Sequence, residues 1–163
     1  EKIKMIVNHG EKMKYHHEIV GCNSRLDSIQ AEILNIKLKY LDDYNSNRNI
    51  MANNYNLAFE KINEIITPKV NSSSDHVYHQ YTTRILNGKR DEFKNYLSNL
   101  GIPTMIYYPI PIHKQKAYKE HKQYGKKIQL ADSYSSQLLS LPIFPKMQDQ
   151  EIERVVETIK KYS

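Results

Sequence analysis

Tryptophan is absent, and cysteine occurs once, as Cys22. A lone cysteine excludes an internal disulfide and fits a reducing cytosol. No stretch approaches the ~20 apolar residues of a membrane-spanning helix, and no segment reads as a signal peptide. A cytoplasmic chain with no membrane partner is the expectation. Internal repeats and low-complexity tracts are missing too. So are the short signatures of self-contained catalysis: no Gly-x-Ser-x-Gly elbow, no phosphate-binding Walker loop, no His-Glu-x-x-His and no Gly-x-Gly-x-x-Gly. Cys22, beside Asn23, has no positioned base in the sequence and is a poor nucleophile candidate.

What is present is a chain of 163 residues, 39% apolar and 26% charged, with 13 tyrosines. That length supports one full core. The formal net charge is +6. Basic domains bind nucleic acid, acidic membranes or phosphorylated small molecules. Here the lysines are scattered, and the densest group, between Lys114 and Lys127, is broken by Tyr, His and Glu. This reads as a solvated surface, and no nucleic-acid partner is expected. The chain starts in mid-element at Glu1-Lys2-Ile3-Lys4-Met5-Ile6, as expected at the edge of a longer protein.

Residues 1 to 22 read as a short helical end and a loop, with Asn8-His9-Gly10 as the helix stop. His16 and His17 are adjacent but lack the Cys or carboxylate companions of a metal site. From Ser24 to about Ile65 there is neither Gly nor Pro. Ser24 and Asp27 have the spacing of a capping box. One helical stripe runs through Leu26, Ile29, Ile33, Ile36, Tyr40 and Tyr44, and a second through Ala52, Tyr55, Phe59 and Ile62. A single helix would span ~60 Å at 1.5 Å per residue, against roughly 30 Å for a domain of this size. Either a kink near Asp42 to Asn45 or a helix crossing between two domains is expected.

His76 to Leu86 reads as a strand. On it, His76, Tyr78 and Gln80 would face one way and Val77, His79 and Tyr81 the other. Asp91 to Leu100 reads as a helix closed by Gly101, and Pro103 to Tyr108 as a second strand. Lys126 to Leu138 reads as a helix, and Leu139 to Ile143 as a short strand. Asp149 is expected to cap a last helix. The order predicts an α/β sandwich: a small mixed or antiparallel sheet with helices on one face, preceded by a long helix.

Two segments have candidate chemistry. Gly21-Cys22-Asn23-Ser24-Arg25-Leu26 leads into the long helix, where free amides and the dipole favour anions. Asn23 and Arg25 there could hold a phosphate, although an ordinary cap with a surface arginine explains them as simply. Tyr107-Tyr108-Pro109-Ile110-Pro111-Ile112-His113 lies at a strand end, where rigid prolines set side chains at a sheet rim. The tyrosines could stack on a base or sugar, and His113 could donate to a phosphate. A stiffened loop that packs Tyr into the core fits equally.

Taken in order, Asn8-His9-Gly10, Gly21 to Ala31, Lys37 to Asp42 with Arg48, His76 to Tyr81, Gly101 to Thr104, Tyr108 to His113 and Leu139 to Pro142 resemble the DegT/DnrJ/EryC1/StrS family of sugar aminotransferases. These enzymes depend on pyridoxal phosphate (PLP). The resemblance implies a C-terminal part of the aspartate-aminotransferase fold. Residues 1–23 would close the large cofactor domain, 24–65 would form a linking helix, and 66–163 the small domain. It implies a homodimer with active sites at the subunit interface, and a Schiff-base lysine upstream of this chain, so that no catalytic residue is assigned here and the piece alone is expected to be inactive. Asn23 and Arg25 would contact PLP. Tyr108 and His113, with Tyr107 and His9 nearby, would contact a nucleotide-sugar. The reaction implied is transfer of an amino group, usually from glutamate, to a keto-sugar in amino-sugar or polysaccharide synthesis. Tyr107 departs from a common histidine, and Cys22 from a common aromatic. The competing expectation is a non-catalytic binding module of the same fold, against which the length of the apolar stripe argues. An RNA-binding domain is disfavoured because Tyr78 and Tyr81 would lie on opposite faces.

Overall fold

The computed structural model describes residues 1–118, 120 and 128–162. It divides into two compact units, Glu1–Leu41 and Asp42–Ser163.

The first unit opens with α1 (Lys2–Val7). The expected loop after it is in part a ribbon: β1 (Glu11–Met13) pairs antiparallel with β2 (His16–His17), with Tyr15 at φ 67° in the tight turn. Helix α2 (Ser28–Leu38) follows. It begins three residues later than the Ser24 cap predicted, with Asp27 in extended conformation at its N-cap. No residue of α2 is buried, and Ile29, Ile33 and Leu34 are all exposed.

The predicted long helix is interrupted, but earlier than Asp42. The Tyr40 amide bonds back to the Lys37 carbonyl, three residues earlier, which tightens and closes the last turn. Helix α3 (Leu41–Phe59) then starts afresh.

In the second unit, β3 (Ile65–Ile66), β4 (Tyr81–Ile85) and β5 (Leu138–Leu141) form an antiparallel sheet in the order β3-β4-β5. Tyr81 is opposite Leu141, Thr83 opposite Leu139, and Ile65 opposite Ile85. Cross-strand partners share a face, so these side chains form one mainly apolar surface, in which the buried Thr83 hydroxyl donates to the Leu139 carbonyl. Against it pack α3, α4 (Arg90–Asn99) and α6 (Asp149–Lys160), through Tyr55, Phe59, Phe93, Leu97, Ile152, Val155 and Ile159. The second predicted stripe is therefore core. Each such side chain contributes about 1.5–3 kcal/mol through burial.

The strand predicted from His76 starts only at Tyr81. Tyr78 takes φ 43° and breaks the alternation, its amide donating to His76 Nδ1 at 2.9 Å. Tyr78 and Tyr81 consequently share one core, with ring centroids 6.0 Å apart, contrary to the expected opposite faces. Tyr55 lies 4.9 Å from Tyr81 and 5.6 Å from Phe59. The buried phenols are satisfied: Tyr55 donates to the Pro142 carbonyl at 2.9 Å and Tyr81 to Asn56 Oδ1 at 2.7 Å. Burial pushes both phenols well above their ordinary range.

Pro103 to Tyr108 is no full strand. Met105 alone pairs with Ser140, through two hydrogen bonds of 2.8 and 3.1 Å, because the flanking prolines cannot extend the ladder. Helix α5 (Gln129–Ser135) is shorter than predicted, and Lys126 and Lys127 of that expectation lie outside the described residues. The last helix is capped by Gln148, not Asp149, with Glu151 accepting the Gln148 amide at 2.8 Å. Among the described residues, no helix is long and apolar enough to cross a membrane.

Candidate functional site

The first unit builds a fixed approach to Asn23. The segment through Gly21 runs back along α1 and its end: the Cys22 amide donates to the Ile6 carbonyl (2.8 Å), the His9 amide to the Cys22 carbonyl (3.0 Å), and the Ser24 amide to the Val7 carbonyl (2.9 Å). Asn8 and Asn23 form a bridge. This crossing needs both glycines. A Cβ on Gly21 would collide with the Gly10 nitrogen, and one on Gly10, at φ 78°, with the Ile19 carbonyl. Asn23 and Arg25 are exposed, and neither side chain has a hydrogen-bond or ion-pair partner among the described residues.

His9 lies in the same crossing, at φ 58°, and its carbonyl is 2.9 Å from His17 Nδ1. Glu11 accepts from the Tyr15 amide at 2.6 Å and from Asn8 Nδ2 at 2.8 Å. The Tyr15 amide is the main reason its carboxyl is held below the usual range, with Asn8, His17 and His9 adding to it against desolvation. No group of three or more His, Cys, Asp or Glu among the described residues could hold a metal ion.

The second unit carries the other candidates. After the Met105 bridge, Tyr107 and Tyr108 stand edge to face, with centroids 5.9 Å apart. Tyr107 is half-buried and Tyr108 is exposed. The prolines lead into a 3-10 turn at Ile112–Lys114, which holds His113. Tyr108, Ile110, Ile112 and His113 line one side of an open, mainly apolar concavity. Ala131, Tyr134 and Leu138 from α5 and β5 line the other.

His113 is half-buried, and its Nε2 lies 2.8 Å from Asp132 Oδ1. Lys114 Nζ is 3.0 Å from the other oxygen of the same carboxylate. The Lys114 ammonium first, and His113 after it, hold the Asp132 carboxyl below its usual range against desolvation. Helix α5 is held in turn from β4. The Arg84 guanidinium lies over the Tyr134 ring at 4.1 Å and donates through Nε to Gln137 at 2.9 Å. Arg90, largely buried, donates to the Ser135 and Leu138 carbonyls at 3.1 and 3.2 Å.

The six predicted site residues thus fall in two groups. His9, Asn23 and Arg25 belong to the first unit, and Tyr107, Tyr108 and His113 to the second. The sequence reading missed Lys114, Asp132, Arg84 and Tyr134. Lys114 adjoins His113 and had been absorbed into a solvated lysine cluster. Asp132 gave no signal, because it meets His113 only after the chain has passed through α5.

The family model described as the DegT/DnrJ/EryC1/StrS aminotransferase family matches residues 1–160. The dTDP-3-amino-3,6-dideoxy-alpha-D-galactopyranose transaminase of Aneurinibacillus thermoaerophilus is 42% identical over 162 residues, which is 99% of this chain and 43% of the relative. The crystal structure of S. venezuelae DesV in complex with a ketimine intermediate superposes with a TM-score of 0.89 at 34% identity, over 99% of this chain and 43% of that one. A DegT DnrJ EryC1 StrS aminotransferase from Brucella abortus superposes with a TM-score of 0.86 at 30% identity, over 99% of this chain and 42% of its own. The chain therefore spans less than half the length of the relatives it matches.

Proposed function

The chain belongs to the DegT/DnrJ/EryC1/StrS aminotransferase family, and from that premise we propose that it forms the C-terminal portion of a PLP-dependent enzyme. That enzyme transfers an amino group from glutamate to the keto carbon of a nucleotide-linked sugar, leaving 2-oxoglutarate and an amino-sugar. PLP, when bound, supplies the electron sink for the exchange. Its lysine anchor belongs to the rest of the enzyme, and this chain by itself is inactive.

The fit of this chain to PLP rests on Asn23 and Arg25. An amide and a guanidinium with unfilled hydrogen-bonding capacity, on a backbone held by the crossing at Gly10 and Gly21, suit a phosphate. In the proposed homodimer they reach the cofactor phosphate of the other subunit. Tyr107, Tyr108 and His113 bind and orient the nucleotide-sugar, and His9 is a further substrate-binding residue in this reading. The observation that carries the substrate assignment is the half-buried His113 on the wall of an aromatic and apolar concavity. Stacking surface for a base or sugar ring and a hydrogen-bonding group for its polar edge are combined there.

The test is made on the enzyme that carries this chain. It is mixed with glutamate and a dTDP- or UDP-linked keto-hexose, and 2-oxoglutarate and the amino-sugar are measured. Stoichiometric formation of both supports the assignment, and turnover of free keto-sugars with no preference for nucleotide-linked ones refutes it. Asn23→Ala is expected to lower cofactor occupancy, read from the absorbance of bound PLP.

A further inference from the structure

We propose that Asp132 is a positioning residue for His113, fixing which ring nitrogen carries the proton and so which is offered to the substrate. The inference rests on the assignment of His113 to the nucleotide-sugar. Asp132 Oδ1 lies 2.8 Å from Nε2 of His113. Both atoms are buried, and their approach lacks the alignment of a hydrogen bond; the carboxylate charge beside Nε2 nonetheless favours the Nε2–H form and leaves Nδ1 as the free ring nitrogen. Nδ1 has no protein partner among the described residues.

The neighbouring cation makes the device specific. Lys114 Nζ occupies the second carboxylate oxygen at 3.0 Å, so Asp132 cannot rotate away from the imidazole without exchanging both contacts. The His113 side chain is only 14% exposed and Asp132 30%, so water competes weakly for the contact. Arg84 and Arg90 fix the helix that bears Asp132, through Tyr134, Gln137 and two backbone carbonyls. The imidazole is thus referred to the central strand of the sheet as well as to its own 3-10 turn.

The experiment has two arms. In the whole enzyme, Asp132→Asn is expected to raise KM for the nucleotide-sugar about tenfold, the effect of losing the one charged group in contact with the ring. Its kcat should stay within about twofold, and KM for glutamate should not move. Asp132→Glu should recover most of the loss, and the H113A/D132N double variant should be no worse than H113A. If H113A itself leaves the nucleotide-sugar KM unchanged, the substrate assignment fails. If H113A raises it but D132N does not, or if the two effects multiply, the positioning role fails and the assignment stands. The second arm needs no activity. Nitrogen-15 spectra of the 163-residue chain should show the Nε2–H form of His113 in the native protein and a mixture of both forms in D132N. Melting curves of D132N and D132E, expected close to the native curve, separate a folding defect from a change at the ring. An unchanged His113 signal in folded D132N overturns the proposal.

Discussion

Replacing Arg90 by alanine should destabilise the second unit by about 3 kcal/mol. The side chain is only 10% exposed. Its Nη1 donates to the carbonyls of Ser135, in the last turn of α5, and of Leu138, where β5 begins. Both carbonyls lie where a helix end meets a strand, and the last carbonyls of a helix have no intrahelical amide donors left to accept from. Hydrogen bonds from a charged donor are worth about 1.5–3 kcal/mol each. One side chain makes both, so their sum is not additive, and about 3 kcal/mol is the expected total. The salt bridge of Nε to Asp91 adds little, because Asp91 is 76% exposed. For a unit of this size the change lowers the midpoint of thermal unfolding by roughly 10 °C. Urea unfolding followed by circular dichroism measures it directly, with Arg90→Met as the companion, since methionine keeps the packing of the stem without its donors. A loss below about 0.5 kcal/mol in both variants would refute the reasoning, by showing that water satisfies the two carbonyls as well as the guanidinium does. A large loss in alanine but not in methionine would assign the effect to packing.

Leu97→Ala, at a fully buried site on α4, should cost about 2–5 kcal/mol in the same urea assay. The acid response of the site follows from Asp132. Its carboxyl titrates below its unfolded value in the folded chain, so its stabilising contribution is complete above the ordinary carboxylate range and is lost as pH falls through the lowered value. The native chain should therefore lose stability more steeply in acid than Asp132→Asn, measured as urea midpoints from pH 6 to pH 3; parallel curves would contradict this. The chain on its own should self-associate through α2, where Ile29, Ile33, Leu34 and Leu38 are all more than half exposed. Sedimentation should depend on concentration, and Ile29→Asp with Ile33→Asp should abolish that dependence; a monomer at every concentration would count against it.

The sequence was most legible where one period repeats against one surface. Ile152, Val155 and Ile159 recur at helical spacing, and all are buried in the core. Tyr55 and Phe59 do the same. The same periodicity in Leu26, Ile29, Ile33 and Ile36 marked an apolar stripe equally well, yet these side chains are exposed. Period identifies the face of a helix but not whether this chain covers it. Legibility failed where one residue leaves the regular conformations. Tyr78 at φ 43° turned a predicted strand into a turn that brings two tyrosines into one core, and no side-chain pattern announces a positive φ at tyrosine.

The candidate site divides along the same line. Asn23, Arg25, Tyr108 and His113 were reachable because their neighbours in sequence, the glycines and prolines, define the local backbone. Asp132 was not, because its meaning depends on a contact across 19 residues of chain. Local backbone chemistry explains where a functional side chain stands, while its protonation and orientation are set by partners brought from elsewhere in the fold. The groups that tune His113 are therefore the ones a linear reading passes over, and Lys114 shows the point most sharply: beside His113 in sequence it looks like solvated charge, and only the position of Asp132 gives it a role.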